Sequence, residues 1–257
     1  MAYLDLNGLK RFKQKLVAFL GFITTGKGRF SGDIYVNSTS ATTGEKVATV
    51  NYVDNCMAYT PISINSLSVS PTTYEVGASA TNVKLQYTLS KVPTLAKLDN
   101  VTKTISSTSG TITEAGPFTV NKEWTLYVED TRPDGVKGTA TKKVSIAFTY
   151  YLFAGASVSP GTINSSFVRG LATKALKTTQ ANYSFTANAD TAAKYLWFAC
   201  PKSYGKCAFN VNGFDGGFRL VGDNVSVNLP TGTTWYYVYR SDNPALGNTT
   251  VKVSKLT

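Results

Sequence analysis

Apolar side chains recur at helical spacing near the start of the chain. In residues 3–25 they follow steps of three and four positions, with basic and amide side chains between them. This stripe predicts an amphipathic helix that needs a partner surface, because one helix cannot bury its stripe alone. A membrane-surface helix is the alternative, since the polar face is basic, and we favour contact with protein. The stripe consists of Leu9, Phe12, Leu16, Phe19 and Ile23.

A second and shorter helical pattern precedes a proline. Val50, Val53 and Met57 are spaced i, i+3 and i+7, which predicts about two turns of helix beginning near Thr49 and ending at Pro61. Three apolar residues cannot hold such a helix by themselves. They therefore need another surface to cover them.

Alternation of apolar and polar residues dominates from residue 61 onward. The segments 83–89, 124–128 and 144–148 each alternate, and Asn, Asp, Gly and Pro residues separate such segments. Six or seven short strands in about 90 residues predict an immunoglobulin-like sandwich over 61–155. The aromatic segment 150–161 is interpreted as the seam that ends this domain.

The last hundred residues repeat the same kind of pattern. Residues 156–257 predict an antiparallel sandwich or jelly-roll-like domain, and Leu171 to Lys177 are predicted to form a helical turn. The chain is therefore predicted to be mainly β, with a helix at 1–25, a connecting stalk at 26–60 and two β domains. The C-terminal strands are expected at 182–187, 194–200, 206–211, 217–221, 224–229, 234–240 and 249–255.

Basic residues exceed acidic ones throughout the chain, for a net charge of +11. Seven basic and four acidic residues give +3 in 1–60, nine and seven give +2 in 61–155, and ten and four give +6 in 156–257. Nucleic-acid-binding proteins concentrate Lys and Arg on one face or in one run, which this chain does not. We therefore expect no nucleic-acid partner. No window approaches 18 apolar residues, so we also expect no membrane span.

The chain contains no histidine, which removes the commonest general base and the commonest metal ligand. A paired-carboxylate glycosidase is the remaining catalytic alternative. We favour turn chemistry for the C-terminal acids, and the loop N-G-F-D-G-G at 212–217 has only one carboxylate for calcium. We therefore predict no enzyme, cofactor or metal. The C-terminal acids are Asp190, Asp215, Asp223 and Asp242.

Three cysteines do not make a complete disulfide framework. Cys56, Cys200 and Cys207 include no CxxC pair. Cys200 and Cys207 could meet across a hairpin. We favour the interpretation that they are reduced core residues of a protein assembled in a cytosol.

Two aromatic segments suggest either a core or a ligand surface. They are K-Y-L-W-F at 194–198 and W-Y-Y-V-Y-R at 235–240, and alternation places Trp235, Tyr237 and Tyr239 on one side of a strand. We favour a sandwich core, with stacking on an acidic glycan or contact with a neighbouring subunit as the alternatives. Burial of all four candidates would exclude the glycan hypothesis. The candidate glycan-binding residues are Trp197, Trp235, Tyr237 and Tyr239.

Four segments resemble structural proteins of tailed-phage virions. Y-L-D-L-N-G-L-K-R-F-K-Q-K-L at 3–16 is similar to the attachment end of fibre and tail-associated proteins, and G-E-K-V-A-T-V-N-Y-V-D-N at 44–55 is similar to a fibre joint. P-x-x-Y-E-V-G at 71–77 and S-I-A-F-T-Y-Y-L-F-A-G at 145–155 resemble their Ig-like modules. Unlike long fibres, this chain has no internal repeat.

The resemblance implies a short head fibre, decoration protein or small tail accessory, assembled in the host cytoplasm and located on the virion. It further implies other capsid or tail proteins as partners, a homotrimer, and a host-surface glycan as a candidate ligand. The alternative is a stand-alone carbohydrate-binding adhesin or tail-tip accessory protein, and a glycan hydrolase is less favoured. The implied attachment and oligomer residues are Leu9, Phe12, Leu16, Phe19, Ile23, Val50, Val53 and Met57.

Overall fold

Strands make up most of the part of the chain that the computed structural model describes. The predictions of a mainly-β fold and of an N-terminal helix are confirmed, the helix α1 running from Leu6 to Ile23. Residues 55, 57 and 58 are helical, as predicted for the end of the stalk, while Val50 and Val53 lie outside the described residues. The described residues are 6–23, 34–36, 45–47, 55, 57–132 and 135–256.

Eighteen strands are described. The N-terminal half contains β1 Ile34–Val36, β2 Glu45–Val47, β3 Ile64–Val69, β4 Thr73–Glu75, β5 Val83–Leu89, β6 Leu95–Leu98, β7 Val101–Thr102, β8 Ser109–Glu114, β9 Lys122–Thr131 and β10 Lys137–Val158. The C-terminal half contains β11 Thr173–Lys177, β12 Tyr183–Ala189, β13 Lys194–Pro201, β14 Cys207–Val211, β15 Phe214–Asp215, β16 Phe218–Asn228, β17 Thr233–Ser241 and β18 Gly247–Lys255. A short helix α2, Ser165–Arg169, and a 3-10 helix, Lys202–Tyr204, lie between strands.

The strands form four sheets. β1 and β2 make an antiparallel hairpin, and β3, β5 and β8 form a three-stranded sheet in the order β3-β5-β8. The large sheet has nine strands, in the order β16-β17-β13-β10-β9-β6-β7, with β4 and β11 also paired to β10. The small sheet has the order β12-β18-β14-β15.

The chain divides into two compact units. The first contains residues 1–66, 87–110 and 125–142. The second contains residues 67–86, 111–124 and 143–257. Strands β3, β5, β8, β9 and β10 each contribute residues to both units.

In the first unit, a buried carboxylate fixes the segment that enters the β region. The hydroxyl of Tyr59 donates to Oδ1 of Asp130 at 2.6 Å, and the backbone N–H of Ile62 donates to the same oxygen at 3.3 Å. Lys91 forms an ion pair with Oδ2 of Asp130 at 2.6 Å, and its Nζ lies 4.3 Å from the ring centroid of Tyr59. These contacts hold residues 59–62 in one position relative to β9.

In the second unit, the large sheet has an apolar core on each face. The first core lies between the large and small sheets and includes Phe198, Tyr239 and Phe209. The second core lies on the opposite face, where Val168 of α2 packs with residues such as Trp197. The central strands β10, β13 and β17 are therefore covered on both sides, which explains their nearly continuous apolar sequence.

Three C-terminal predictions are corrected by the structure. The predicted helical turn at Leu171 to Lys177 is wrong, because residues 173–177 form β11 and pair with β10. The predicted seam at 150–161 is also wrong, since β10 continues to Val158. The strands expected at 217–221 and 224–229 are one strand, β16, with two register irregularities. These corrections make β10 the shared strand of segments that we predicted as separate domains.

An ion pair with a buried carboxylate and a partly exposed guanidinium joins residues from those two segments within the second unit. Arg169 donates from Nη1 to Oε1 of Glu75 at 2.7 Å and from Nη2 to Oε2 at 3.1 Å. The same Nη1 also donates to the carbonyl of Asn228 at 2.7 Å. Nearby, Thr231 donates its hydroxyl hydrogen to the carbonyl of Gly77 at 2.9 Å. The bidentate geometry restricts the pair to one orientation.

Candidate functional site

The apolar stripe of α1 is incompletely covered. Phe12 exposes 40% of its surface, and Leu9 and Leu16 are half-buried. Phe19 and Ile23 belong to α1 by their backbone, but their side chains lie outside the described residues. Met57 is half-buried in the helical residues before Pro61. An 18-residue helix with such an edge offers apolar surface to another protein.

Most of the candidate glycan-binding aromatics belong to the core. Trp197 exposes 1% of its surface, and its indole N–H donates to the carbonyl of Ser157 at 3.0 Å. Tyr237 and Tyr239 are also buried, on the opposite face of the large sheet from Trp197. A glycan cannot stack on these three rings, so the prediction is corrected for them. Trp235 is different, because 55% of its surface is exposed.

Trp235 lies two residues along β17 from a small polar cluster around Tyr237. Tyr237 follows it on the same face of β17, two residues along the strand. Lys202, from the 3-10 helix, places its Nζ 5.3 Å from the ring centroid of Tyr237. That ammonium donates to Oδ1 of Asn224 at 2.6 Å and lies 3.3 Å from Oδ1 of Asp223. We call Trp235, Tyr237, Lys202, Asp223 and Asn224 the Trp235 patch.

The patch depends on an irregularity that the sequence pattern hides. The register of β16 against β17 shifts between Gly222 and Val225, so Asp223 and Asn224 have no partners in the register with β17. Sequence reasoning assigned Asp223 to turn chemistry and overlooked Lys202. The Trp235 patch combines an exposed indole, a carboxylate, an amide and an ammonium. These groups make its surface chemically suited to a hydroxyl-rich ligand.

The outer face of the small sheet is polar and carries an open cleft. A row of cross-strand neighbours runs from Ser184 through Lys252 and Asn210 to Asp215. The side-chain amide of Asn210 donates to Oδ1 of Asp215 at 2.7 Å, which confirms local hydrogen bonding for that carboxylate. The cleft of about 640 Å³ is lined by Asn182, Tyr183, Ser184, Asn210, Gly213, Lys252, Val253 and Ser254.

Two adjacent buried acids in the first unit are structural in character. Lys137 and then Tyr127 donate to Glu129, and these hydrogen bonds lower the pKa of that carboxyl. Burial alone would raise the pKa of Asp130, but hydrogen bonds from Lys91, Tyr59 and a backbone N–H outweigh it and lower the pKa. Both acids are therefore ionised at neutral pH, and neither is prepared to donate a proton as a general acid would.

Metal-binding side chains are not grouped in the part of the chain that the structure describes. No group of three or more Cys, Asp or Glu side chains there could hold a metal ion. Asp190 pairs with Lys194 at 2.9 Å, and that hydrogen bond lowers the pKa of the carboxyl. Within the same residues, no helix combines the length and the apolar character that a membrane crossing needs.

No protein-family model matches the chain, and the curated proteins include no significant match to its sequence.

Proposed function

We propose that this chain is a structural protein of a phage virion, a short fibre or decoration protein anchored by its N-terminus. Its β-sandwich domains would face outward, and other capsid or tail proteins would be its partners. The observation that carries the proposal is the incompletely covered stripe of α1, in which Phe12 is 40% exposed. The stripe belongs to the segment whose sequence resembles a virion-attachment helix.

A non-enzymatic role fits the available side chains. The chain has no histidine, and the buried acids Glu129 and Asp130 each accept hydrogen bonds that lower their pKa values. General acid–base chemistry needs a group whose pKa lies near the working pH. These two buried acids thus support a structural role for the β region rather than a hydrolytic one.

The oligomeric part of the proposal is tested by light scattering on the full chain. The unmodified chain should have the mass of a trimer, and Phe12→Glu should reduce it to a monomer by placing a charge on the stripe. Gln14→Glu adds the same charge to an exposed position away from the stripe and should leave the trimer intact. A monomeric unmodified chain, or a trimer of Phe12→Glu, would contradict the proposed packing.

The anchoring part is tested by assembly. Virus particles assembled with the full chain should carry it after purification, and particles assembled with a chain lacking residues 1–25 should not. If the shortened chain is incorporated equally well, the N-terminal helix is not the anchor.

A second candidate function, a carbohydrate-binding adhesin, is favoured by the Trp235 patch. The exposed indole supplies a stacking surface, and Lys202 and Asn224 supply polar groups beside it. Binding of the full chain to acidic and neutral oligosaccharides should be measured by calorimetry. Trp235→Ala should abolish any binding, whereas Phe214→Ala, at an 80% exposed position outside the patch, should retain it. Equal binding by both variants, or no binding by the unmodified chain, would reject this function.

A further inference from the structure

Two thiols meet inside the second unit. Cys200 and Cys207 are both free and buried, and their Sγ atoms lie 3.5 Å apart. Cys200 belongs to β13 of the large sheet, and Cys207 belongs to β14 of the small sheet. The contact therefore spans the first core from one sheet to the other.

The framework around the pair is fixed on both sides. The backbone of Cys207 donates its N–H to the hydroxyl oxygen of Tyr239 at 2.9 Å. In the two ladders, Cys200 is opposite Tyr237 and Cys207 is opposite Lys255. A disulfide has an S–S length of about 2.05 Å, so the two sulfurs must approach by about 1.5 Å in total. Side-chain rotation can supply much of that approach while the ladders keep their registers.

We propose that Cys200 and Cys207 are an oxidation site at which a peroxide forms a disulfide between the two sheets. One thiol loses its proton, and its thiolate attacks a peroxide oxygen. The O–O bond breaks, a sulfenic acid forms, and the hydroxide that leaves takes up a proton to give water. The second sulfur then attacks the sulfenic sulfur and gives up its proton to the hydroxide that leaves, so the S–O bond breaks, the S–S bond forms and a second water is released. Overall, two thiols and one hydrogen peroxide give one disulfide and two waters, with the thiols oxidised and the peroxide reduced.

Access assigns the order of the two steps. Cys207 retains 7% exposure, whereas Cys200 has none. Its hydrogen bond with Cys207, together with burial, raises the pKa of the Cys200 thiol and keeps it protonated. Cys207 is thus the sulfur that meets peroxide first, and Cys200 is the one that resolves the sulfenic acid.

The cross-link would act on the Trp235 patch as well as on the core. It would close a loop of eight residues, from 200 to 207, that contains Lys202. Lys202 reaches Asn224 and Asp223 from this loop. Fixing both ends of the loop would restrict where that ammonium can lie. The inference does not depend on the proposed function, because it concerns chemistry of the isolated chain.

The test is thiol counting on the full chain before and after hydrogen peroxide, under denaturing conditions. The count should fall from three thiols to one and return to three after reduction with dithiothreitol. Trypsin should then release peptide 195–202 linked to peptide 207–219, with a mass two hydrogens below their sum. A count that stays at three, or falls without this linked peptide, would overturn the proposal.

Single-site variants separate this pair from Cys56. Cys56→Ser should retain the linked peptide, because it leaves both buried thiols in place. Cys200→Ser and Cys207→Ser should each lack it. A disulfide that joins Cys56 to either residue in the unmodified chain would also refute the assignment.

Discussion

The ion pair between Glu75 and Arg169 should contribute measurably to stability. Glu75 is only 9% exposed, and it accepts two hydrogen bonds from one guanidinium. The perturbation is to replace Glu75 with Gln, Arg169 with Met, and then both together. Each single change removes the charge pair, and Arg169→Met also leaves a buried carboxylate without its cation.

The magnitude follows from burial and geometry. Removal of one partner of a fully buried pair costs about 3–5 kcal/mol, because the other charge remains desolvated. The side chain of Arg169 is 34% exposed, so water can screen part of this cost. We expect Arg169→Met to lower the free energy of unfolding by about 2–3 kcal/mol. Because hydrogen bonds to charged groups contribute about 1.5–3 kcal/mol, we expect a coupling energy between the partners near the lower end of that range.

Urea unfolding is measured by circular dichroism for the unmodified chain, the two single variants and the double variant. The double-mutant cycle then gives the coupling energy between Glu75 and Arg169. The pair Glu123–Lys143 is the control, since it lies in the same unit with a similar 2.8 Å separation but with both side chains mostly exposed. The reasoning is refuted if Glu75 and Arg169 show no greater coupling than this control pair.

Three further predictions concern single positions. The pKa of Asp130 is lowered in the folded chain, so the ionised carboxylate stabilises the fold above about pH 4. This stabilisation is lost as the pH falls through the folded pKa. Asp130→Asn should therefore make the urea unfolding midpoint depend less on acid pH. Trp197→Ala should cost about 3–5 kcal/mol of unfolding free energy, and Trp235→Ala less than about 1 kcal/mol, because only the first ring is buried. Gly135→Ala should lower the free energy of unfolding, measured by thermal unfolding, by about 1 kcal/mol, because its φ of +85° strains an alanine. Gly77 has the same φ, and a Cβ there would also lie 2.9 Å from facing backbone atoms, so Gly77→Ala should cost roughly twice as much. Equal losses of stability in the two variants would contradict the clash.

Local alternation was a sufficient signal for several strands. Val83–Leu89 alternates buried and exposed residues along its whole length, and the structure has β5 at those residues. The strand predicted at 194–200 corresponds to β13 within one residue at its C-terminal end. In β5 one side of the strand is covered and the other faces solvent, so period-two patterning carries the information. β13 is covered on both sides and is marked instead by an unbroken run of apolar residues.

Local propensity failed where distant pairing decides the structure. Residues 171–177 contain Leu, Ala and Lys, which favour helix, yet residues 173–177 pair in register with Tyr150–Ala154 of β10. The helix that does form, α2, begins after Asn164, whose side chain accepts from the N–H of Phe167 at 3.0 Å. That capping signal was present in the sequence. The pairing of β11 was not, because it depends on where β10 lies.

The aromatic strand β17 shows why a shared face does not determine exposure. Trp235, Tyr237 and Tyr239 do lie on one side of the strand, as alternation predicts. Yet Tyr239 contacts Phe209 of the small sheet, with ring centroids 4.9 Å apart, while Trp235 is opposite the exposed Ser226 of β16. Exposure along this face of β17 therefore depends on how far the small sheet extends over it. The strands of the small sheet come from other parts of the chain. If the small sheet reached two residues farther along β17, Trp235 would be buried as well, and no ring of the Trp235 patch would remain open to a ligand.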